Sequence, residues 1–444
     1  MQDNGFVFDY AKCVGCHACI AACHFENKTE LPLLWRNVNS FNKKKIPLAG
    51  YIYLSMACNH CAEAPCINAC PANAFKRDPH TGAVIHNQDN CIGCKYCTWA
   101  CPYSAPKFNE KNGVIEKCSL CNHRLIEGIE PACTNLCPTG ALSFSKIELA
   151  SNDDSFEVLK KNNQPRVNTL RSEVKNHVPF MDISSSGINL NHTELQLESF
   201  TKTIEAKYEW PLAIFTLLSA LLVGWITSID LKSSNIEKLI LICLGIIGLL
   251  FSTFHLGKPL RSYRSIFNIR NSWVSREIVA FGLFGITSLC FLFIDSSIQF
   301  KVLSVTSGFI LLFCIEMVYS IPKKSYNTPI HSANTVLTAL LFSFIFNGYL
   351  KLSIVILAVK GLLYLTRIAY DWDFKIRKLV FIPFRFLLGI ILPIGFIAFS
   401  KYNLIVIVII VISEMIDRYD YYNNIYVDTP ESTLAQKLIR TIRG

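Results

Sequence analysis

From Trp210 onwards the chain is written in long apolar runs. Eight stretches, near 211–229, 236–255, 277–294, 302–321, 333–350, 352–369, 379–399 and 402–417, are separated by charged or proline-bearing turns. About 20 residues at a rise of 1.5 Å cross a hydrocarbon core ~30 Å thick, so the pattern predicts eight membrane-crossing helices, the last the shortest. Ahead of Trp210 the pattern changes. Residues 149–207, with SNDDS, KKNNQ and ISSSG, hold few long apolar runs and read as a linker or strap. Residues 1–148 show short intervals punctuated by cysteine, glycine and proline. The expected division is 1–148, 149–207, a membrane bundle over 208–422, and a polar tail over 423–444.

Composition sharpens the division. Hydrophobic residues make up 51% and charged residues 17% of the 444, too few charges for a soluble enzyme and too many apolar residues for a disordered chain. Of 19 cysteines, 16 fall between Cys13 and Cys137; Cys243, Cys290 and Cys314 come later. The opening MQDNGFVFDYAKC shows no apolar targeting core and no twin arginine. That favours metal thiolates over a disulfide framework, which needs an oxidising compartment. The net charge of +10 is largely offset if those thiolates hold iron–sulfur clusters, and many of the basic residues lie beside apolar runs. No nucleic-acid partner is expected.

The 16 cysteines form four groups: Cys13, Cys16, Cys19, Cys23; Cys58, Cys61, Cys66, Cys70; Cys91, Cys94, Cys97, Cys101; and Cys118, Cys121, Cys133, Cys137. Groups one and three have the C-x2-C-x2-C-x3-C spacing of bacterial ferredoxins, in which three close thiolates wrap one cluster and the fourth reaches another. Groups two and four lengthen the middle interval without losing a ligand. Proline follows groups two, three and four; His24 follows group one. Structural zinc sites use pairs of C-x2-C rather than triplets with a distant fourth, so iron–sulfur is the reading.

Four groups in this order, with the long interval in the fourth, resemble the electron-transfer subunit of the dimethyl sulfoxide reductase family of molybdoenzymes, over about residues 5–145. The resemblance implies a ferredoxin-like α+β domain with four [4Fe–4S] clusters. It assigns Cys13, Cys16, Cys19 and Cys137 to one cluster, and Cys118, Cys121, Cys133 and Cys23 to the next. It gives Cys58, Cys61, Cys66 and Cys101 to a third, and Cys91, Cys94, Cys97 and Cys70 to the fourth. Some relatives carry tryptophan in group three and form a three-iron cluster; here the group is complete.

In the apolar half, YEWPLAIFTLLSALLVG (208–224), His-Leu-Gly-x-Pro-Leu-Arg at 255–261, Ser-x-x-Ser-Arg-Glu at 272–277 and Tyr326-Asn327-Thr328-Pro329 resemble the quinol-oxidising anchor subunit of the same reductases. Tyr208 stands where relatives often have histidine. The resemblance implies two subunits fused in one chain, an anchor of eight helices, and His255 and Glu277 as the quinol-binding and proton-handling pair. A quinol gives up two protons with its two electrons, so its site needs such groups at the membrane edge. The bland alternatives are that His255 merely ends a helix and that Glu277 pairs with Arg276 or Arg270. Glu316, Lys360 and Glu414 fall inside apolar runs, where ionisable groups are costly. A Glu316–Lys360 pair is one structural reading, and Arg385 is expected to snorkel. Only His255 and His331 could serve a haem in this half, both at one face of the expected topology, so no haem is expected.

Lys232, Lys238, Lys301, Lys351 and Lys401 fall on one side of the expected topology, and most of the other cations of this half on the other. The positive-inside rule then places the iron–sulfur domain in the cytoplasm, with the anchor multi-pass in a bacterial inner membrane. The expected function is an electron-transfer and anchor subunit. It takes electrons from a quinol, expected to be menaquinol, and relays them to a molybdopterin-containing catalytic partner; this chain has no pterin-binding domain. The alternatives are a stand-alone ferredoxin–quinone oxidoreductase and a redox-linked proton-translocating membrane protein.

Overall fold

The computed structural model describes residues 4–41, 52–147, 163–170, 202–203, 206–229, 234–321, 323–324, 330–370, 383–398, 404–423, 425–427 and 429. Most of the expected linker, most of the polar tail and Tyr326–Pro329 lie outside the described residues. The chain divides into two compact units, Met1–Lys202 with Val427–Gly444, and Thr203–Tyr426.

The first unit is built from short elements because every cysteine group interrupts the chain. Strand β1 (Asn4–Asp9) lies between β8 (Leu142–Lys146), antiparallel, and β9 (Val167–Leu170), parallel. Three two-stranded ribbons complete the strands: β2 (Asn37–Phe41) with β3 (Ile52–Met56), β4 (Phe75–Arg77) with β5 (Val84–His86), and β6 (Lys107–Asn109) with β7 (Val114–Glu116). Helix α1 (Ala18–Asn27) follows the first cysteine loop, α2 (Pro65–Ala69) the second and α3 (Tyr96–Ala100) the third. Helices α4 (Asn122–Ile126) and α5 (Ala132–Asn135) belong to the fourth. Helix α1 packs on α5, and α2 on α3.

Among the described residues the second unit contains eight α-helical segments and a 3-10 helix at Pro259–Ile266. The α-helical segments are α6 (Ala206–Ile226), α7 (Asn235–Phe254), α8 (Trp273–Leu289, extended by a π-turn at Cys290–Ile294), α9 (Ile298–Val318), α10 (Thr335–Phe346), α11 (Leu350–Tyr370), α12 (383–398) and α13 (Leu404–Asn423). Four of them, at Glu209–Ile226, Asn235–Phe254, Trp273–Ile294 and Ile298–Val318, are long and apolar enough to cross a membrane. The rest are shorter or carry buried charges.

Helix α6 is the centre of this bundle, packed against α7, α9, α10 and α13. Gly224 is what allows α10 to approach: a Cβ there would stand 2.7 Å from the Ala339 carbonyl oxygen. Helix α7 is the opposite case. Ile236, Leu239, Ile246, Leu249 and Leu250 all face outward, an apolar surface that suits lipid rather than water.

Candidate metal centres and membrane site

Each cysteine loop curls because residues inside it take left-handed backbone angles: Gly15 and His17, His60, Gly93 and Lys95, Leu120 and Cys121. The curl brings successive thiols to one side. The third cysteine of each group then enters a short helix, and the fourth is carried away from the first two: Cys70 and Cys101 at the ends of α2 and α3, Cys137 beyond α5.

The packing of α1 on α5 and of α2 on α3 gathers thiols from different groups. Cys13 lies within electrostatic reach of Cys16, Cys19 and Cys137. Cys23 is grouped with Cys121 and Cys133, and Cys118 with Cys23 and Cys133. Cys61 faces Cys58, Cys66 and Cys101. Cys97 faces Cys70, Cys91 and Cys94, and these four line a small cavity with Phe75 and His86. The nests also adjoin one another in a row: Cys19 is near Cys133, Cys118 near Cys58, and Cys97 near Cys66.

Burial pushes Cys66, Cys97 and Cys118 up, Cys23 to about 12 against the pull of Arg36, and Cys101 to about 11, whereas Cys137, against the push of its burial, is held below the usual thiol range by hydrogen bonds from Leu142 and Thr139. So many buried thiols cannot ionise without a cation to hold them. No three His, Cys, Asp or Glu side chains among the described residues converge on a single ion centre. A cubane cluster instead takes one thiolate at each of four iron corners. The surroundings already point donors at the sulfurs. Backbone N–H groups of Ala74, Leu120 and Leu142 donate to Cys70, Cys118 and Cys137 at 3.3, 3.3 and 3.4 Å, and the Asn27 amide donates to Cys121 at 3.7 Å. Further buried polar atoms are short of partners: Asn59 Nδ2 and Nε2 of His60 and His86 have none, and the Arg36 guanidinium has only the Cys133 thiol and Ser55 beside it. His60 Nδ1 accepts from the Val84 amide at 2.9 Å, so its proton sits on Nε2. Unsatisfied buried donors are rare in folded proteins, and sulfide-bearing clusters would supply the missing acceptors. The donor set fits iron–sulfur clusters held by the cysteines. Sequence reasoning did not find Arg36, His60 or His86, since nothing in their spacing marks them.

In the second unit His255 is the C-cap of α7, half-buried, and Glu277 lies in the first turns of α8, also half-buried. Arg276 is turned elsewhere: it donates to the carbonyls of Ile269 and Arg270 at 2.9 and 2.5 Å and stacks 4.2 Å over Trp273. Glu277 forms no ion pair among the described residues. It faces Tyr319 and Cys314, and Glu209 faces the same tyrosine; Tyr422 donates to the Tyr319 hydroxyl at 2.6 Å.

Two expectations for this unit are corrected. Lys360 does not pair with Glu316. Its ammonium meets Glu414 at 3.0 Å and the Thr338 hydroxyl at 2.9 Å, because α11 faces α13 and α10 at that level. Glu316 lies 3.2 Å from His331 and accepts from the Thr335 amide at 2.6 Å, and His331 stacks on Tyr421. Nor does Arg385 snorkel. It is 3% exposed and donates to Ser413, to Asp417 at 3.0 Å and to Glu414 at 3.4 Å. Two carboxylates one turn apart on α13 hold it inside the bundle. Arg418 joins Glu414 at 2.9 Å and Arg367 joins Asp417 at 2.9 Å and Asp420. Asp417 and Arg418, missed in the sequence, stand at i+3 and i+4 from Glu414, the spacing of one helix face.

Residues 49–147 match the family model of a 4Fe–4S dicluster domain, and residues 204–392 that of the DMSO reductase anchor subunit. The hydrogenase-2 operon protein HybA of Escherichia coli O157:H7 is 35% identical over 170 residues, which are 32% of this chain and 52% of that protein. A putative dimethyl sulfoxide reductase iron–sulfur subunit of Halobacterium salinarum is 34% identical over 186 residues, 35% of this chain and 69% of the relative. One chain of the anaerobic dimethyl sulfoxide reductase of Escherichia coli K12 is 37% identical over 153 residues, 32% of this chain and 74% of the relative. The chain belongs to the dimethyl sulfoxide reductase iron–sulfur subunit family. Its second half matches, beside that iron–sulfur part, the anchor-domain model of the same reductases. It spans about half the length (52%) of the HybA proteins it matches.

Proposed function

We propose that this chain oxidises a membrane quinol, menaquinol by chemical class, beside His255 and Glu277. It then passes the electrons through four [4Fe–4S] clusters to a molybdopterin-containing catalytic partner. Cys13, Cys16, Cys19 and Cys137 hold the first cluster, and Cys23, Cys118, Cys121 and Cys133 the second. Cys58, Cys61, Cys66 and Cys101 hold the third, and Cys70, Cys91, Cys94 and Cys97 the fourth. The observation that carries the reading is the row of four thiol nests, each near the next, in one chain with an anchor domain. When bound, the clusters supply one-electron carriers. Quinol oxidation yields quinone, two electrons and two protons; Glu277, with no ion pair among the described residues, is the group available to take a proton. The exposed apolar side chains Val14, Phe25, Ile126 and Leu136, on the segments that carry the first and second nests, suit a partner surface. The iron–sulfur unit is placed in the cytoplasm on the distribution of Lys and Arg.

The buried ionic network supports a second reading, a redox-linked proton-translocating protein. The packing beside that network argues against it. A layer of Leu341, Phe342, Ile345, Leu357, Val406 and Ile410 closes the network on the side of Lys360 away from Asp420, and a translocating path has to cross. The test is a pull-down of the membrane-extracted chain with metal analysis. About sixteen iron atoms per chain, four for each cluster, with molybdenum in a large co-purifying subunit, are expected. Full iron with no molybdenum and no partner under mild extraction means a stand-alone ferredoxin–quinone oxidoreductase. Zinc in place of iron after anaerobic preparation overturns the ligand assignment.

A further inference from the structure

Two cations of the iron–sulfur unit are buried with no carboxylate paired to them among the described residues. Arg36 is 2% exposed. Its Nη1 donates to Ser55 Oγ at 3.0 Å, and its guanidinium lies 4.7 Å over the Phe6 ring. Beyond the Cys133 thiol, which lies within hydrogen-bonding reach of the guanidinium, Nε and Nη2 meet no protein acceptor among the described residues. The charges it faces are the thiols of Cys19 in the first nest and of Cys23, Cys118 and Cys133 in the second. Ser55, which fixes it, also meets Cys19 Sγ at 3.5 Å.

Lys117 is 4% exposed, and its ammonium donates to the carbonyls of Val84 and Cys118. It faces Cys66 and Cys101 of the third nest, and its backbone runs directly into Cys118 of the second. The ion pairs of this unit among the described residues are Lys12–Asp9, Lys111–Glu30 and the Glu26 pairs with His123 and Arg124. Neither Arg36 nor Lys117 takes part. A buried cation without a counter-ion is strongly disfavoured, so the negative charge that balances each must be something the nests hold.

We propose that Arg36 and Lys117 are fixed counter-charges at successive junctions of the cluster row, Arg36 between the first and second and Lys117 between the second and third. Each stabilises the reduced state of both clusters it faces. The inference rests on the ligand assignment given above. Reduction adds one negative charge to a cluster, and a cation a few ångströms away in a low-dielectric interior favours that charge. Because each cation is shared, an electron crossing the junction stays within the same field on both sides. The two residues position potentials; they do not touch substrate.

The test is a redox titration of the full chain in isolated membranes, followed by electron paramagnetic resonance. Signals are assigned with Cys16→Ser, Cys121→Ser and Cys61→Ser, and iron is counted in parallel. Arg36→Met is expected to lower the midpoints of the first and second clusters about tenfold in the reduction equilibrium, ~59 mV for one electron. Lys117→Met lowers the second and third by a similar amount. The second cluster alone responds to both. Arg36→Lys and Lys117→Arg keep the charge and stay near wild type, as does Lys111→Met on the exposed surface. Unchanged midpoints in the methionine variants at full iron content overturn the proposal. So does an equal shift in the charge-keeping variants, which would mean packing rather than charge. If Arg36→Met loses iron, Arg36→Gln provides the same comparison, and loss of iron in both also counts against it. A wild-type chain with fewer than four clusters, or whose signals ignore the Cys→Ser changes, fails the ligand assignment itself before any variant is compared.

Discussion

A charge inside an apolar bundle is stable only in company, and the company decides which substitution does harm. Among the described residues, Lys360, Arg367, Arg385 and Arg418 are balanced by Glu414, Asp417 and Asp420. Glu414, 2% exposed, holds three of the cations: Lys360, Arg385 and Arg418. Glu414→Gln therefore leaves three buried cations around a neutral amide, and breaking a buried ionic set in this way costs about 3–5 kcal/mol. Lys360→Met removes one of the three cations around Glu414, keeps a similar volume and leaves Glu414 two arginines; it should cost roughly 1–2 kcal/mol. Thermal unfolding of the detergent-solubilised chain checks the order. A Lys360→Met variant as damaging as Glu414→Gln would mean that the ammonium itself anchors the site. The cost of Lys360 and Glu414 was legible in the sequence, as charges within apolar runs. Their pairing was not, because the level at which α11 meets α13 depends on packing between distant segments.

At the scale of elements, the two units depend on different local rules. A cluster loop is local: ligand spacing, left-handed residues and a following short helix fall within about twenty residues at most, so the four cysteine groups can be read from the sequence, while which groups share a cluster is a matter of packing. Arg36, which enters from the loop before β2, has no such local mark. Apolar runs likewise located the helical segments, but not the central place of α6, which is set by close approach. Gly224 would bring a Cβ 2.7 Å from both the Ala339 oxygen and Phe342 Cβ, and Gly308 would meet Val223 at 2.9 Å. Small residues of this kind let helices in a bilayer pack closely. Gly285 on α8 has nothing within 4 Å. Gly224→Leu should push α10 from α6 and reduce the folded, monodisperse fraction on detergent size exclusion several-fold, while Gly285→Leu leaves it unchanged. Equal behaviour of the two variants would show that the α6–α10 contact does not hold the bundle.

The whole molecule contains two cores of unlike chemistry. In the membrane unit the core is carbon: Ala220, Val223, Ile226, Leu311, Leu312, Ala339 and Phe342 are almost fully enclosed, and helix packing with the ionic network holds it together. In the iron–sulfur unit cysteines occupy much of the core. Cys58, Cys61, Cys66, Cys70, Cys91, Cys97, Cys101, Cys118, Cys121 and Cys133 are all buried, alongside the unsatisfied donors of Asn59, His60 and His86. Short helices of four or five residues and two-stranded ribbons cannot support a domain by themselves. Metal binding must therefore supply much of its folding free energy, as it does in small metallodomains. Removing iron anaerobically from the membrane-embedded chain should unfold this unit alone. Limited proteolysis read by mass spectrometry should then find cleavage appearing throughout residues 4–147, while 206–318 stays protected. Cleavage in both halves at the same iron loss would mean that the anchor needs the clusters to fold. Protection of both would mean that the cysteine core stands without metal, against the argument from its buried thiols and donors.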